Sequence, residues 1–187
     1  MGNRGCLHDD VGTIRKVFAR KAWVTCRLEW KSIRRSVFAP GRYSELFFLD
    51  EATAFAAGHR PCNHCRRDDY NAFHVAFGKV LESGSSVKAE AMDMQIHHDR
   101  ISTANTKRTF TSELSDLPDG VMIVLAEERD VPRLSWNGQL HRWSFDGYTD
   151  PVNVIEGAAQ VLTPTAICAV LKAGYPVKVH PSALRPI

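Results

Sequence analysis

Apolar residues recur at helical spacing in the first half of the chain. Residues 10–23 place apolar side chains three and four positions apart with basic residues between them, which predicts a short amphipathic helix. The Ala-rich segment 51–57 follows Asp50, a favourable capping residue, and ends before Gly58, so it predicts a second short helix. Residues 66–81 repeat aromatic and aliphatic side chains at helical spacing and predict a longer amphipathic helix.

Alternation of polar and apolar residues predicts strands elsewhere. Residues 22–30 alternate in this way, with Cys26 and Leu28 on the apolar side, and an apolar run at 43–49 follows the turn APGR. The two segments together predict a hairpin. In the second half, VMIVLA predicts a strand, and RLSWNGQLHRWSF predicts a hairpin that turns at Asn137-Gly138. The aromatic residues interpreted as core or pocket wall are Trp136, Trp143, Phe145 and Tyr148.

Two more helices and a loop complete the pattern. Residues 88–101 predict a helix, residues 102–116 are polar and predict a loop, and TAICAVLKAG predicts a last helix that Gly174 ends. Helices and strands do not alternate as βαβ units, so the expected fold class is α+β with short antiparallel strands. We expect a first region at residues 1–82 and a small second α+β region at residues 83–187, packed separately or as one domain.

Composition narrows the class of protein. The 187 residues are 44% hydrophobic and 24% charged, which is ordinary for a soluble globular protein. No apolar run approaches the roughly 20 residues that span a bilayer, and no apolar leader follows Met1, so we expect a cytoplasmic protein without a membrane partner. The five cysteines are odd in number, which argues against a disulfide framework and favours metal binding or burial.

The densest chemistry lies in RPCNHC, which contains Cys62 and Cys65. Two thiolates at this spacing bind one Zn²⁺ readily, and the N-terminus of the following helix stabilises their negative charge. A redox dithiol and a pair of thiols without function are the alternatives. Because a structural zinc ion needs four ligands, Cys26 is the expected third ligand, and Cys6 or His8 is the expected fourth.

The stretch LFFLDEATAFAAGHRPCNHCRRD resembles the end of the Ada-type metal-binding domain of DNA-repair proteins, over about residues 45–69. In that family a Phe-rich strand leads into an Ala-rich helix and then into Ala-Gly-x-Arg-Pro-Cys-x-x-Cys. The resemblance implies that Cys62 and Cys65 bind zinc in a treble-clef-like knuckle and that Arg60 lies near a DNA phosphate. The family's upstream Cys-x-x-x-Cys pair is represented here by Cys26 alone, so the repair activity is not carried over.

Charge is unevenly distributed along the chain. Residues 1–80 contain 14 Lys and Arg against 8 Asp and Glu, whereas residues 81–187 contain 10 against 13. A basic, cysteine-rich half is compatible with DNA or RNA as a partner, and a solvated surface with salt bridges is the alternative. The candidate nucleic-acid contacts are Arg34, Arg35, Arg60, Arg66 and Arg67, with Trp30 as an aromatic residue among the cations.

Three functions follow from these patterns. The first is a zinc-binding protein with a structural metal site and a basic surface that binds nucleic acid. The second is a metal-dependent nuclease or phosphodiesterase, in which His97 or His98 of IHHDR acts as a general base or binds a second metal ion. The third is an interaction module without a metal. GxGxxG, P-loop, GxSxG and HExxH motifs are absent, so nucleotide-dependent and α/β-hydrolase chemistry have no support in the sequence.

Overall fold

The computed structural model describes residues 1–32, 36–81, 87–154 and 156–184, which form a mixed α+β fold. The described helices are α1 (Glu51–Ala56), α2 (Arg67–Val80), α3 (Ala89–Arg100) and α4 (Thr165–Lys172). A small sheet contains β1 (Gly2–Asn3), β2 (Val24–Thr25) and β3 (Arg60–Pro61). A larger sheet contains β4 (Phe110–Glu113), β5 (Val121–Val124), β6 (Arg133–Trp136), β7 (Gln139–Ser144), β8 (Gly147–Asn153) and β9 (Ala158–Val161). The predicted α+β class is confirmed.

The small sheet joins three separate parts of the chain. β1 pairs antiparallel with β2, and β2 pairs parallel with β3, so that Thr25 lies opposite Pro61. The next residue after each of the two parallel strands is a cysteine, Cys26 after β2 and Cys62 after β3. This register therefore places the two thiols side by side.

The larger sheet has six antiparallel strands in the order β4-β9-β5-β6-β7-β8. All four residues of β5, the first four of VMIVLA, are buried, so this strand is covered on both faces. β6 and β7 form the predicted hairpin, with φ angles of 50° at Asn137 and 72° at Gly138. Positive φ at both positions is what a type I′ turn requires. Both predictions are confirmed.

One apolar cluster packs all four helices against the larger sheet. Its most deeply buried members are Phe55, Phe73, Phe77, Met92, Ile96, Val121, Ile123, Leu140, Val161, Ile167 and Val170. Burial of each such side chain stabilises the fold by about 1.5–3 kcal/mol. The cluster draws residues from both predicted regions, 1–82 and 83–187, which therefore share this core. The boundary that the sequence predicts between them, ESGSS at residues 82–86, lies outside the described residues, and the division into two regions stays a prediction.

α1 begins and ends where the sequence predicts. The Asp50 carboxylate accepts a hydrogen bond from the Thr53 N–H at 2.9 Å, and the Thr53 hydroxyl accepts one from the Asp50 N–H at 3.1 Å. This capping box satisfies backbone donors that have no partner within the helix. Gly58 follows with a φ of 78°, a left-handed conformation that glycine adopts without strain.

The other helices also lie where apolar spacing predicts them. α2 follows the second cysteine of RPCNHC, α3 lies within residues 88–101, and α4 begins after Pro164 and ends before Gly174. No helix among the described residues combines the length and the apolar composition that crossing a bilayer requires.

The predicted helix at residues 10–23 is wrong. The Asp9 carboxylate accepts hydrogen bonds from the N–H groups of Val11 and Thr13, and Gly12 has a φ of 82°. The Asp9 N–H also donates to the Thr13 carbonyl at 3.0 Å, so the chain turns back on itself here and does not continue into a helix. Val11 is 84% exposed, so the apolar spacing here has no core to face.

The predicted hairpin of residues 22–30 and 43–49 is also wrong. β2 pairs with β1 and β3, whereas the second segment contributes a bridge between Leu46 and Gly2. Leu28, expected on the buried side, is 73% exposed. Pairing with strands far away in sequence therefore replaces the local pairing that the alternation suggested.

Some elements of the second half were missed. Residues 102–116, predicted as a loop, contain β4 and a 3-10 turn at Leu114–Asp116. β8 and β9 were not predicted, because their residues alternate weakly between polar and apolar. Of the aromatic residues interpreted as core or pocket wall, Tyr148 is buried and Trp136 packs partly buried against the same cluster. Trp143 and Phe145 both line a cavity, although Phe145 is 88% exposed.

Candidate metal centre

Three thiols from distant parts of the chain meet beyond the small sheet. Cys26 follows β2, Cys62 follows β3, and Cys65 lies in the turn that leads into α2. Their sulfur atoms all lie within 4.8 Å of one another, and within the described residues they are the one group of three potential metal ligands. Thiolates bound to a tetrahedral Zn²⁺ lie roughly 3.8 Å apart, so the sulfurs need little movement to fit one ion.

Backbone hydrogen bonds position the cysteines. The Cys62 N–H donates to the Thr25 carbonyl at 2.9 Å and continues the parallel pairing of β2 and β3. The Arg66 N–H donates to the Cys62 carbonyl at 3.0 Å and closes the turn around Cys65. A strand on one side and a helix on the other therefore hold the C-x-x-C pair.

Hydrogen bonds to sulfur favour the thiolate form that a metal requires. The His64 N–H donates to Cys62 Sγ at 3.4 Å, and the Arg27 N–H donates to Cys65 Sγ at 3.3 Å. A hydrogen bond from the Cys26 thiol lowers the pKa of Cys62 to about 4. Backbone N–H groups lower this pKa further, whereas burial acts in the opposite direction. The same hydrogen bond, together with burial, raises the pKa of Cys26. The cluster therefore favours the thiolate form of Cys62, and a divalent cation would displace the proton of Cys26.

A polar cleft of about 420 Å³ adjoins the cluster at Cys26. Its charged and titratable lining residues are Arg27, Asp50, Glu51, Arg66, Asp69, Lys178 and His180. The Glu51 carboxylate accepts hydrogen bonds from Arg66 Nη2 at 2.5 Å and from the Tyr175 hydroxyl at 3.0 Å. These bonds hold the C-terminal segment beside the thiols. Sequence reasoning missed Glu51 and Tyr175, because partners 124 positions apart leave no local pattern.

The structure does not bring Cys6 or His8 into the cluster. Cys6 Sγ donates to the His8 carbonyl at 3.5 Å. The His8 ring forms a hydrogen bond with the Ser44 hydroxyl at 2.5 Å and stacks on Phe38 with ring centres 4.8 Å apart. Both side chains are engaged elsewhere, so neither supplies a fourth ligand in this arrangement.

Two of the predicted nucleic-acid contacts are engaged within the protein. Arg60 is buried, and its guanidinium group donates to both carboxylate oxygens of Asp93 at 2.7 Å. Arg66 forms salt bridges with Glu51 and Asp69. The phosphate contact expected for Arg60 does not agree with this burial and pairing.

The remaining predicted contacts include a partly buried tryptophan. Arg27 Cζ lies 5.7 Å and Lys31 Nζ 5.5 Å from the centre of the Trp30 ring, and the His64 ring packs edge-on against it. We call these four residues the Trp30 patch. Arg67 is exposed at the start of α2. Arg34 and Arg35 lie outside the described residues.

His97 and His98 have different surroundings on α3. Arg100 Nη2 donates to His97 Nδ1 at 2.8 Å, and burial together with the charges of Arg100 and Lys21 lowers the pKa of His97. His98 is exposed and binds Asp99 at 3.1 Å. Within the described residues neither histidine joins a group of three potential ligands, so a second metal site has no geometric support there.

Comparison of the chain with protein-family models, with curated proteins and with solved structures found no match. The chemistry of the site therefore rests on its own geometry. Three closely spaced sulfurs, two of which accept backbone hydrogen bonds, form a donor set that can hold a soft divalent cation.

Proposed function

We propose that this protein binds one Zn²⁺ through Cys26, Cys62 and Cys65 and that the metal has a structural role. The observation that carries the proposal is the meeting of three sulfurs within 4.8 Å beyond two paired strands. Thiolates favour zinc over hard cations such as Mg²⁺ and Ca²⁺. The N–H groups that donate to two of the sulfurs supply the outer hydrogen bonds that metal ligands generally have.

The structural role follows from where the ligands lie. Cys26 belongs to an N-terminal segment whose strands are two residues long, whereas Cys62 and Cys65 lead into α2, which packs in the main core. A metal ion that bridges them ties this segment to the core, and its binding free energy becomes folding free energy for the segment. Strand, cysteine knuckle and helix together make the arrangement treble-clef-like.

The fourth coordination position has no protein ligand among the described residues. No other Cys, His, Asp or Glu there lies within the group of sulfurs. Three protein ligands with a water molecule in the fourth position are the coordination that catalytic zinc sites have, whereas structural sites are closed by a fourth protein ligand. The ion proposed here would therefore tie the segment to the core and still keep one open position. We assign a water molecule to this position, and the cleft beside Cys26 gives it access to solvent.

Metal analysis of protein purified without added metal tests the ligand set. We expect about one equivalent of zinc in the wild type and its loss in Cys26→Ser, Cys62→Ser and Cys65→Ser, because structural sites bind zinc tightly at neutral pH. Cys6→Ser is the matched control, since it removes a thiol outside the cluster, and it should retain the metal. A structural site is expected to bind zinc tightly, so less than about 0.2 equivalents of zinc in the wild type would contradict the proposal.

Cobalt substitution tests the fourth position. Co²⁺ in a three-thiolate site should show intense thiolate-to-metal absorption in the wild type and in Cys6→Ser. Added imidazole should shift the visible bands, because it replaces a water ligand. A spectrum that imidazole leaves unchanged would instead show that a fourth protein ligand closes the site.

The Trp30 patch favours a second function, the binding of single-stranded DNA or RNA. Cations around an aromatic ring combine phosphate contact with base stacking. Affinity for an oligonucleotide should fall steeply with salt, and Lys31→Ala should reduce the slope of log K against log salt by about 0.7. Lys79→Ala, an exposed lysine on α2, is the matched control and should leave the slope unchanged. If Lys31→Ala and Lys79→Ala change the slope equally, the Trp30 patch is not the binding surface for the oligonucleotide.

A further inference from the structure

A second group of cations surrounds Trp23, and none of the three clustered cysteines lines the cavity that it forms. Arg4 Cζ lies 3.8 Å and Arg100 Cζ 3.7 Å from the centre of the Trp23 ring, which is itself 3% exposed. Lys107 lies at the edge of the same cavity and donates to the Ala56 carbonyl at 2.5 Å. Two guanidinium groups therefore lie against the Trp23 ring, and an ammonium group joins them at the edge of the same cavity.

These three cations have no carboxylate partner among the described residues. Salt bridges link Arg60 to Asp93, but none is formed by Arg4, Arg100 or Lys107 within the described ranges. Their hydrogen bonds go to carbonyl oxygens and, for Arg4 Nε and Arg100 Nη2, to histidine nitrogens. Buried cations are normally paired with an anion, and the one carboxylate that acts on Arg100, Asp93, is itself bound to Arg60. The group of three cations is therefore only partly neutralised by the described residues.

Arg100 is the clearest case of unmatched charge. The side chain is 3% exposed, and its buried Nε–H has no hydrogen-bond partner in the described residues. Burial and the charge of Arg4 lower the pKa of Arg100 to about 9, and burial lowers the pKa of Arg4 to about 10. Both remain above neutrality, so both groups are cationic at pH 7. An unpartnered buried donor on a charged group is costly, so the positive charge of Arg100 is incompletely compensated within the described residues.

Lys107 adds a third charge at the rim. Its side chain is exposed, and its ammonium group donates to the Ala56 carbonyl. Partial loss of solvation, together with the charge of Arg4, lowers the pKa of Lys107 to about 8. The group is still mostly protonated at pH 7, and two of its three protons are free to bind an anion.

The cavity has room for more than an oxyanion. Its volume is about 370 Å³, and its apolar lining consists of Val17, Trp23, Ala56, Ala57, Ile101 and Leu162. An inorganic phosphate ion would fill a small part of this space. Cations on one side and apolar surface on the other are the usual composition of a site for an anionic organic molecule.

Two residues of the motif AAGHR, Gly58 and His59, position the arginines of this cavity. A Cβ atom on Gly58 would lie 2.4 Å from Arg100 Cδ, so only glycine admits the arginine at this distance. Arg100 Nη1 then donates to the Gly58 carbonyl at 2.8 Å, and Arg4 Nε donates to His59 Nε2 at 3.2 Å. The residues just before the cysteine pair thus position the cations.

We propose that the Arg4–Arg100–Lys107 cavity binds a small organic phosphomonoester, with its phosphoryl group on the cations and its apolar body against Trp23, Ile101 and Leu162. A phosphoryl dianion matches a group of three cations better than a single carboxylate. Arginine forks and a lysine ammonium are the usual phosphate ligands. The concave shape favours a small molecule over a nucleic-acid strand.

Calorimetric titration of the whole 187-residue chain, as purified, with phenyl phosphate tests the assignment. We expect binding that is tighter than that of inorganic phosphate, because only phenyl phosphate has an apolar body, and no binding of phenol. Lys107→Gln should weaken phenyl phosphate binding about tenfold, because it removes a charged hydrogen bond. Arg129→Gln removes an exposed cation that does not line the cavity, and it should leave the affinity within about twofold, as a distant surface substitution does.

Two results would overturn the assignment. The first is the absence of phenyl phosphate binding to folded wild-type protein; binding of a short single-stranded oligonucleotide that depends on Lys107 would then assign the cations to a nucleic acid. The second is equal weakening by Lys107→Gln and Arg129→Gln, which would mean a general effect of net charge. Circular dichroism of each variant shows that it is folded before it is titrated.

Discussion

The N-terminal segment, residues 1–32, and the six-stranded sheet with its helices are ordered by different interactions. The N-terminal segment has two strands of two residues each and leaves Val11 84% and Leu28 73% exposed. Its buried contacts are chiefly polar or cationic, such as Arg4 over Trp23 and the His8–Ser44 hydrogen bond. In the larger sheet, by contrast, β5 is buried throughout and packs on α1 and α4 side chains.

This difference has a thermodynamic consequence. An apolar core gains free energy from many small contacts, so no single bound ion decides whether it forms. A segment held by a few specific polar contacts and a metal ion depends on each of them. We therefore expect the two regions to respond differently to metal removal, to cavity creation and to the loss of a buried charge.

Metal removal should have the largest effect, and it should be confined to one region. With a chelator, amide hydrogens of residues 22–27 should exchange at nearly the rate of an unfolded chain, because the ion that ties Cys26 to Cys62 is gone. Amides of β5 and β7 should keep their protection. Hydrogen exchange followed by mass spectrometry measures both regions in one experiment.

The Cys62→Ser variant is the control for chelation. It should already lack protection at residues 22–27, and the chelator should change nothing further. Equal loss of protection in β5 and β7 would contradict the comparison, because it would mean that the metal stabilises the whole molecule.

A cavity in the apolar core should have the largest effect on global stability among single substitutions. Phe73 is fully buried and contacts Phe55, Phe77 and Tyr175, so Phe73→Ala should lower the free energy of unfolding by about 4 kcal/mol. Phe145→Ala removes the same side chain from an 88% exposed position and should cost less than about 0.5 kcal/mol. Urea unfolding measures both, and similar costs would contradict the assigned core.

The same distinction explains what the sequence could predict. The Asp50–Thr53 cap, the Asn137-Gly138 turn and the apolar spacing of α2 depend on neighbours in sequence, and the sequence indicated all three. The cap, the turn and the helix each need no distant partner to form. Local signals therefore predicted the elements that build the larger core.

Elements held by distant polar partners were predicted poorly. Cys26 was expected near Cys62 because of a hairpin, but the parallel pairing of β2 with β3 is what brings them together. Nothing local indicates that Arg60 is buried against Asp93 or that Arg100 reaches Gly58. Such contacts depend on the whole fold, so spacing and composition do not reveal them.

Breaking the buried Arg60–Asp93 pair tests how polar contacts differ from apolar ones. Asp93→Leu leaves the Arg60 guanidinium buried without its carboxylate partner and should cost about 3 kcal/mol of unfolding free energy. The double variant Arg60→Met/Asp93→Leu replaces both charges by apolar groups and should recover most of that loss. Urea unfolding measures the free energy of unfolding of both variants, and the difference between them is the part of the loss that the second substitution recovers. A double variant as unstable as Asp93→Leu would show that the cost is steric and not electrostatic.

After metal removal, the core cavity and the broken ion pair, Gly58→Ala should have the smallest effect on stability. Gly138→Ala is the matched control that separates the backbone cost from the contact with Arg100. Gly58 and Gly138 have similar positive φ angles, 78° and 72°, so alanine at either position carries a backbone cost of about 1 kcal/mol. A Cβ on Gly138 meets nothing within 4 Å, whereas one on Gly58 lies 2.4 Å from Arg100 Cδ. Gly58→Ala should therefore cost about 1–2 kcal/mol more than Gly138→Ala in urea unfolding. Equal costs would mean that Arg100 moves freely, and a cation that moves freely is not held in place for a ligand.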